Sequence, residues 1–288
     1  MQISYPAILE AVETREYHWS EKDVMLYALA VGMGRDPLDA RELHYVYEKE
    51  LVVMPSFATV AAPRAGAKLL LGLDYAKVVD AERSVILHRP LPVKASVVAT
   101  TRVSRVIDRG AGRGALFTRE TRLAADGEDL ATILTTTFAR GDGGFGGPPD
   151  KTAKPAPNPD PPDLAVEVDT WPNQALLYRL CGDRNPLHAD PDAARAAGFA
   201  RPILHGMCTF GMACRALLLT AAEPDGARIT ELHGRFIAPV YPGERLRIDM
   251  WRSVSTVAFE VRVPARDSLV LQGGRAVLRA EESAADER

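Results

Sequence analysis

The run from Gly141 to Pro162 constrains this chain more than any other stretch. It opens on a glycine cluster (Gly143, Gly144, Gly146, Gly147) and continues into prolines as far as Pro161 and Pro162. Proline lacks the backbone N–H and glycine gives up chain entropy, so such a run forms neither a helix nor a central strand. It reads as an extended linker over 141–162, dividing the 288 residues into an N-terminal half, 1–140, and a C-terminal half, 163–288. The length allows two ordinary domains or one large one, each able to bury a full core.

The halves repeat one layout. Between Ser84 and Arg140, strand-like runs such as Val97–Val103 and Ala115–Thr118 are separated by the polar turns Asp108-Arg109-Gly110 and Asp126-Gly127-Glu128-Asp129. Between Arg228 and Ala280 the pattern recurs in Leu246–Trp251, Val257–Val261 and Leu269–Leu271. A proline-bearing lead-in precedes each set, Pro90-Leu91-Pro92 in one and Pro239-Val240-Tyr241-Pro242-Gly243 in the other. Each half also carries a helix-like apolar segment ahead of its strands, Phe57–Leu71 and Leu204–Leu219. A hairpin sheet needs something to cover its apolar face, and one helix per sheet would do so. The expectation is an internally duplicated α+β unit. The second helix is apolar or small nearly all round, interrupted by Arg215, which marks a buried helix. His205 and Gly206 would then stand at its start, where unpaired N–H groups and the helix dipole favour negative charge.

Apolar content of 47%, charged content of 25% and a net charge of −3 describe a globular protein with no dense basic stripe, which argues against nonspecific nucleic-acid binding. No apolar run approaches the length of a membrane-spanning helix, and the first residues lack a signal-peptide pattern. Cys181, Cys208 and Cys214 are odd in number and contain no C-x-x-C pair, so a reducing compartment is the simpler reading and a cytoplasmic protein is expected.

The chemistry concentrates in Tyr178–His188. Asp183, Asn185 and His188 place a carboxylate, an amide and an imidazole within six residues, with Gly182 and Pro186 shaping the backbone. Near neutral pH such a pair offers a carboxylate and a group that exchanges protons. A polar turn, for which Asp, Asn and Pro are ordinary residues, accounts for the same spacing equally well. His188 with Asp190 or His205 would be a weak metal site lacking a third spaced ligand. Cys181 reads as a small hydrophobe rather than a nucleophile, and Arg109, Arg184 and Arg201 matter only if a phosphorylated ligand lies beside them.

The run from Tyr178 to Cys208, with Gly-Asp-Arg-Asn-Pro-Leu-His-Ala-Asp-Pro and then Arg-Pro-Ile-Leu-His-Gly-Met-Cys, closely resembles the signature of the MaoC-like (R)-specific 2-enoyl-CoA hydratases. This hydratase 2 family includes the hydratase part of peroxisomal multifunctional enzyme type 2. The likeness extends to Met25–Gly32, Leu43–Glu48, Met54–Phe57 and Arg235–Gly243. It implies a double hotdog, two antiparallel sheets each wrapping a helix, and reversible hydration of trans-2-enoyl-CoA to the (3R)-3-hydroxyacyl-CoA. It places the catalytic groups at Asp183, His188 and Asn185, with the backbone N–H of Gly206 polarising the thioester carbonyl. Substrate contacts are implied at Arg109, Arg184, Pro186, Leu187 and Phe236. No metal and no cofactor is implied, CoA being part of the substrate, and a homodimer is expected. Where the family carries a His-Gly contact pair, this chain has Asp80-Ala81, a departure in its N-terminal half. That half lacks an acid/base motif and is small and apolar around Ala58, Ala61, Ala62, Gly66 and Ala67, which suits housing the acyl chain while the C-terminal half does chemistry.

Overall fold

Ten strands form one antiparallel sheet in a computed structural model that describes residues 4–70, 72–73, 77–151, 158, 160–222 and 228–279. The strands are β1 (Val12–Trp19), β2 (Val78–Leu87), β3 (Ala95–Asp108), β4 (Ala115–Ala125), β5 (Glu128–Ala139), β6 (Leu164–Asp169), β7 (Arg228–Phe236), β8 (Arg245–Arg252), β9 (Thr256–Val263) and β10 (Ser268–Arg279). Their order across the sheet is β1-β3-β4-β5-β2-β7-β10-β9-β8-β6. Read outward from the centre, β2-β5-β4-β3-β1 and β7-β10-β9-β8-β6 are the same topology met from opposite sides. The duplicated double hotdog is thus visible in the strand order itself. The halves join where β2 pairs antiparallel with β7, Val85 opposite Leu232. There Glu82 meets Arg235 at 2.8 Å, and the Ser84 hydroxyl lies 2.7 Å from His233 Nδ1.

Local chemistry accounts for the elements. Asp126 and Gly127, both at positive φ, close the β4–β5 hairpin, the conformation for which Asp-Gly is the preferred pair. The helices are α1 (Glu21–Ala30), α2 (Ala40–Leu43), α3 (Gln174–Tyr178), α4 (Pro191–Ala196) and α5 (Gly206–Thr220). Helix α1 starts where the Ser20 N–H donates to Asp23 Oδ2 at 2.8 Å, one arm of a capping box. Helix α4 starts on Pro191 with Asp190 accepting from the Asp192 N–H at 2.8 Å, so Asp190 serves as a cap. Helix α5 is buried along nearly its whole length, as its all-round apolar sequence predicts. Arg215, the interruption, is buried too and forms an ion pair with buried Glu42. One core joins α5 to Trp19, Tyr27 and Phe57 of the first half and to strands β8–β10 of the second.

The expected helix over Phe57–Leu71 does not form. Two short 3-10 turns, Pro55–Thr59 and Ala67–Leu70, take its place, and Leu71 lies outside the described residues. The cause is local. Pro63 cannot donate a helical hydrogen bond, and Arg64 and Gly66 both adopt positive φ. The glycine cluster also differs from a simple extended linker. Asp108 accepts the N–H groups of Gly144 (2.7 Å), Gly146 (3.0 Å) and Gly147 (3.3 Å) as well as that of Gly110 (2.8 Å). These contacts fold the start of the segment back onto the β3–β4 turn. Residues 152–157 and 159 of the segment lie outside the described residues.

Candidate active site

Gly182, at φ +119°, ends the 3-10 turn Arg179–Cys181 and reverses the chain, a conformation that a side chain would strain. The next residues fold on their own side chains. Asp183 Oδ1 accepts the Asn185 N–H at 3.1 Å, and Asn185 Oδ1 accepts the Leu187 N–H at 3.0 Å. Asn185 thereby caps the 3-10 turn Pro186–His188, with Pro186 in its first position. The polar-turn reading of this segment holds, and the same turn sets the position of the imidazole.

His188 is buried and its Nδ1 lies 2.9 Å from the Ile203 carbonyl. A carbonyl only accepts, so Nδ1 carries the proton and Nε2 keeps its lone pair. His205 stacks on His188 with ring centroids 3.7 Å apart, and its Nε2 donates to the Asp183 carbonyl at 3.2 Å. Tyr178 also packs against His205, tilted at 48° with centroids 4.9 Å apart. An Asp183 carboxylate oxygen and one ring nitrogen from each histidine all lie within 4.8 Å of one another. That spacing lets one water bridge the carboxylate and an imidazole. The same three groups are the candidate cation ligands among the described residues.

Burial keeps both imidazoles neutral. Desolvation lowers His188 from its ordinary value, against the opposing pull of the Ile203 carbonyl and the carboxylates of Asp183 and Asp80. His205 is held at about 3 by desolvation, with His188 acting in the same direction. Desolvation also pushes the Cys181 thiol up to about 12, which removes it as a nucleophile near neutral pH.

Gly206 is the first residue of α5, preceded by His205 at φ −58°, ψ 132°. At this position its N–H has no partner within the helix. A Cβ there would sit 3.2 Å from Phe236, so the missing side chain lets that ring close on the helix start. Asp183, His188, His205, Gly206 and Phe236 all face one cavity of about 1560 Å³. Its far wall belongs to the first half, including Ala58, Ala62, Pro63 and Ala67 from the stretch where the expected helix is broken.

Of the residues inferred from sequence, Asp183, Arg184, Asn185, Leu187, His188, Gly206 and Phe236 line this cavity. Pro186 shapes the turn behind it. Arg109 stands elsewhere, paired with Asp150 at 2.9 Å and lying over the Phe138 ring at 5.1 Å. Besides Arg184, the cations lining the cavity are Arg15, Arg64, Lys68, Arg83, Arg119 and Arg140. Sequence reasoning missed them because they are dispersed over β1, β2, β4, the residue after β5 and a broken helix, with only period-two alternation to mark which face each strand residue takes. It also treated His205 as a helix lead-in or metal ligand, whereas His205 is the stacking partner of the reactive imidazole.

A hotdog sheet with an acid/base pair set beside the start of its buried helix, opening on a long cavity, defines an acyl-thioester enzyme. Comparison with known proteins narrows the class. The sequence model of the MFE-2 hydratase 2 N-terminal domain matches residues 17–141, and that of the MaoC like domain matches residues 154–272. Enoyl-CoA hydratase ChsH3 of Mycobacterium tuberculosis is 39% identical over 266 residues, covering 90% of this chain and 92% of that protein. The peroxisomal enoyl-CoA hydratase 2 of Arabidopsis thaliana is 37% identical over 282 residues, covering 91% and 90%. A MaoC-like dehydratase from Phytophthora capsici superposes with a TM-score of 0.86 at 28% identity, covering 98% of this chain and all of that one. The chain belongs to the MaoC-like hydratase 2 family.

The expectation of a cytoplasmic protein is corrected by the same comparison. The Arabidopsis relative and the multifunctional relatives of mouse, fruit fly and Neurospora crassa are peroxisomal proteins by name. An odd number of unpaired cysteines marks a reducing environment, which more than one compartment supplies.

Proposed function

We propose that this chain is an (R)-specific enoyl-CoA hydratase, a hydro-lyase that adds water reversibly to trans-2-enoyl-CoA to give the (3R)-3-hydroxyacyl-CoA. The observation that carries the reading is the approach of the Asp183 carboxylate to an imidazole nitrogen on the wall of a cavity that also takes in the start of α5. Hydration needs a base for the attacking water, an acid for C2 and a donor for the charge that builds on the thioester oxygen. Asp183 and His188 Nε2 hold one water between them, take its proton as it attacks C3, and return a proton to C2 on the same face. They act as one pair, with a shared proton inventory. The Gly206 N–H, backed by the helix dipole, receives the enolate-like oxygen, a type of donor worth roughly 3 kcal/mol in other enzymes. His205 fixes the plane of His188 by stacking and ties the Asp183 backbone through its Nε2–H. Asn185 holds the turn that carries both groups.

Residues 163–288 do the chemistry in this reading, 141–162 connect, and 1–140 accommodate the acyl chain. Arg184, Leu187 and Phe236 contact the substrate from the cavity wall and Pro186 acts through the turn, while Arg109, engaged with Asp150 outside the cavity, takes no part. The working unit is a homodimer, which sedimentation of the purified protein tests.

Incubation with crotonyl-CoA and a longer trans-2-enoyl-CoA, followed by loss of enoyl-thioester absorbance and chiral analysis of product, tests the reaction. Formation of the (3R) product is expected, and release of free thiol in its place would move the assignment to a thioesterase. Asp183→Asn and His188→Ala are expected to fold normally and lose about 10²-fold or more in kcat. Activity near wild type in either removes the pair from the mechanism.

A further inference from the structure

Among the apolar residues that line the first-half side of the cavity runs a row of polar ones. In the second half, strands β9 and β10 bury Val257, Phe259, Val261, Leu271 and Ala276 in the core shared with α5. The matching strands of the first half present Thr121 on β4, Thr135 and Thr137 on β5 and Arg83 on β2 to the cavity. They share a face by register: Arg83 pairs with Thr135, and Asp80 with Thr137. The break in the expected Phe57–Leu71 helix leaves this row on the cavity wall rather than beneath a helix.

Arg83 is the centre of the row. It is 9% exposed, its Nη1 donates to Thr135 Oγ1, and its Nη2 lies 3.4 Å from Asp80 Oδ1. Its Nε–H is buried with no hydrogen-bond partner, and a guanidinium carries five donors, of which these contacts use two. A local irregularity builds the arrangement. Between Asp80 and Glu82 the β2–β5 register slips by one residue, making Ala81 a bulge. Residues three apart on a regular strand point to opposite faces, but the extra residue brings Asp80 and Arg83 to the same one, and both line the cavity. Glu82 is left to pair with Arg235 across the junction of the halves. Asp80-Ala81, which stands where the hydratase 2 pattern has a His-Gly pair, is therefore the bulge that turns Arg83 inward.

An alkyl chain laid along this wall would strip water from a buried guanidinium and return no acceptor. Resting on the hydratase reading, we infer that the substrates of this chain are enoyl-CoA thioesters whose acyl group carries an oxygen acceptor away from the thioester, received by Arg83 with Thr135 and Thr137. A keto or hydroxyl oxygen gains hydrogen bonds, and a carboxylate gains a planar fork as well but meets the Asp80 carboxylate on the same guanidinium.

The test compares kcat/KM for trans-2-decenoyl-CoA with that for its ω-carboxylate and ω-hydroxy analogues, after turnover of crotonyl-CoA has established hydration. At least a tenfold preference for an oxygenated tail is expected, and which analogue leads identifies the acceptor. Arg83→Met is expected to lower that preference tenfold or more, while Arg83→Lys retains part of it. Thr135→Val, a smaller change, should lower it by a lesser factor and serves if Arg83→Met does not fold. Preference for the plain chain, with the ratio unmoved in Thr135→Val and in any folded Arg83 variant, overturns the inference. If crotonyl-CoA is not hydrated, the hydratase reading fails separately, and calorimetric binding of the same three thioesters still decides the tail preference.

Discussion

His205 makes the stability of this fold depend on pH in the window where an exposed imidazole titrates. An exposed imidazole titrates near 6.5, while burial holds His205 near 3 in the folded protein. The folded value is depressed, so the stabilisation is complete above the unfolded value and falls away with acid until the folded value is reached. Between pH 7.5 and 5.0 the unfolded chain takes up a proton at this residue and the folded chain does not. At about 1.36 kcal/mol per pH unit below 6.5, His205 alone removes about 2 kcal/mol by pH 5.0. His188 and His233 are also lowered by burial and add to the wild-type loss in the same direction. Carboxylates lowered by their partners, such as Asp39 at about 2, release their contribution only in stronger acid. Urea unfolding of wild type and His205→Gln at both pH values isolates the single residue, since the amide can still donate to the Asp183 carbonyl. Loss of the ring stack weakens the variant at both pH values and cancels in the difference. Wild type should lose about 2 kcal/mol more than the variant on acidification. Equal losses would mean that His205 is not held neutral, and the stacked-pair account of the site would fall with it.

The catalytic imidazole moves the same way, so the acid limb of kcat/KM should lie below pH 6.5; a limb at or above that value would contradict a buried, neutral His188. Gly211→Ala in α5 would place a Cβ 2.5 Å from Val31 Cγ1 and 2.7 Å from the Tyr27 hydroxyl. Overpacking of this kind costs about 1–3 kcal/mol, more than alanine's helix preference of about 1 kcal/mol can offset, and urea unfolding reads the sign. Asp108→Ala strands the four glycine N–H groups that the carboxylate gathers, and amide exchange at Gly110, Gly144, Gly146 and Gly147 should accelerate while exchange in α5 stays slow.

What could be read from sequence divides along physical lines. The α5 segment was legible because almost every residue from Met207 to Leu218 is apolar or small, a composition with one stable placement. The β4–β5 hairpin was legible because Asp126-Gly127 has few other conformations. Asp183, Asn185 and His188 were legible as a group because their spacing is local and the turn that joins them uses their own side chains. The Phe57–Leu71 segment misled, since its apolar spacing suits a helix while Pro63, Arg64 and Gly66 refuse one. The glycine cluster misled for a different reason. Its partner, Asp108, lies about thirty-five residues earlier, and nothing local announces the contact. Arg83 was illegible on principle, because a bulge at Ala81 changes the face on which it lies, and a bulge leaves no signal in an alternating pattern.

The two halves differ in one decision made by a few backbone positions. Both carry five strands in the same order, and both have an apolar segment where a covering helix belongs. In the second half that segment runs unbroken as α5, so its start is a rigid place from which Gly206 can present an N–H and beside which the two imidazoles can stack. In the first half proline and positive-φ residues break the segment, and the sheet face that a helix would have covered becomes the wall of a cavity of about 1560 Å³. On the proposed function, continuous helix and broken helix are complementary: one would supply fixed donors for the reacting end of a thioester, and the other room for the rest of it. Restoring the helix in the first half, by replacing Pro63, Arg64 and Gly66 with alanine together, should shrink that room while leaving Asp183 and His188 themselves in place. Turnover of long enoyl-CoA thioesters would then fall while crotonyl-CoA is still hydrated. Equal loss on both would show that the broken segment serves the chemistry as well as the chain.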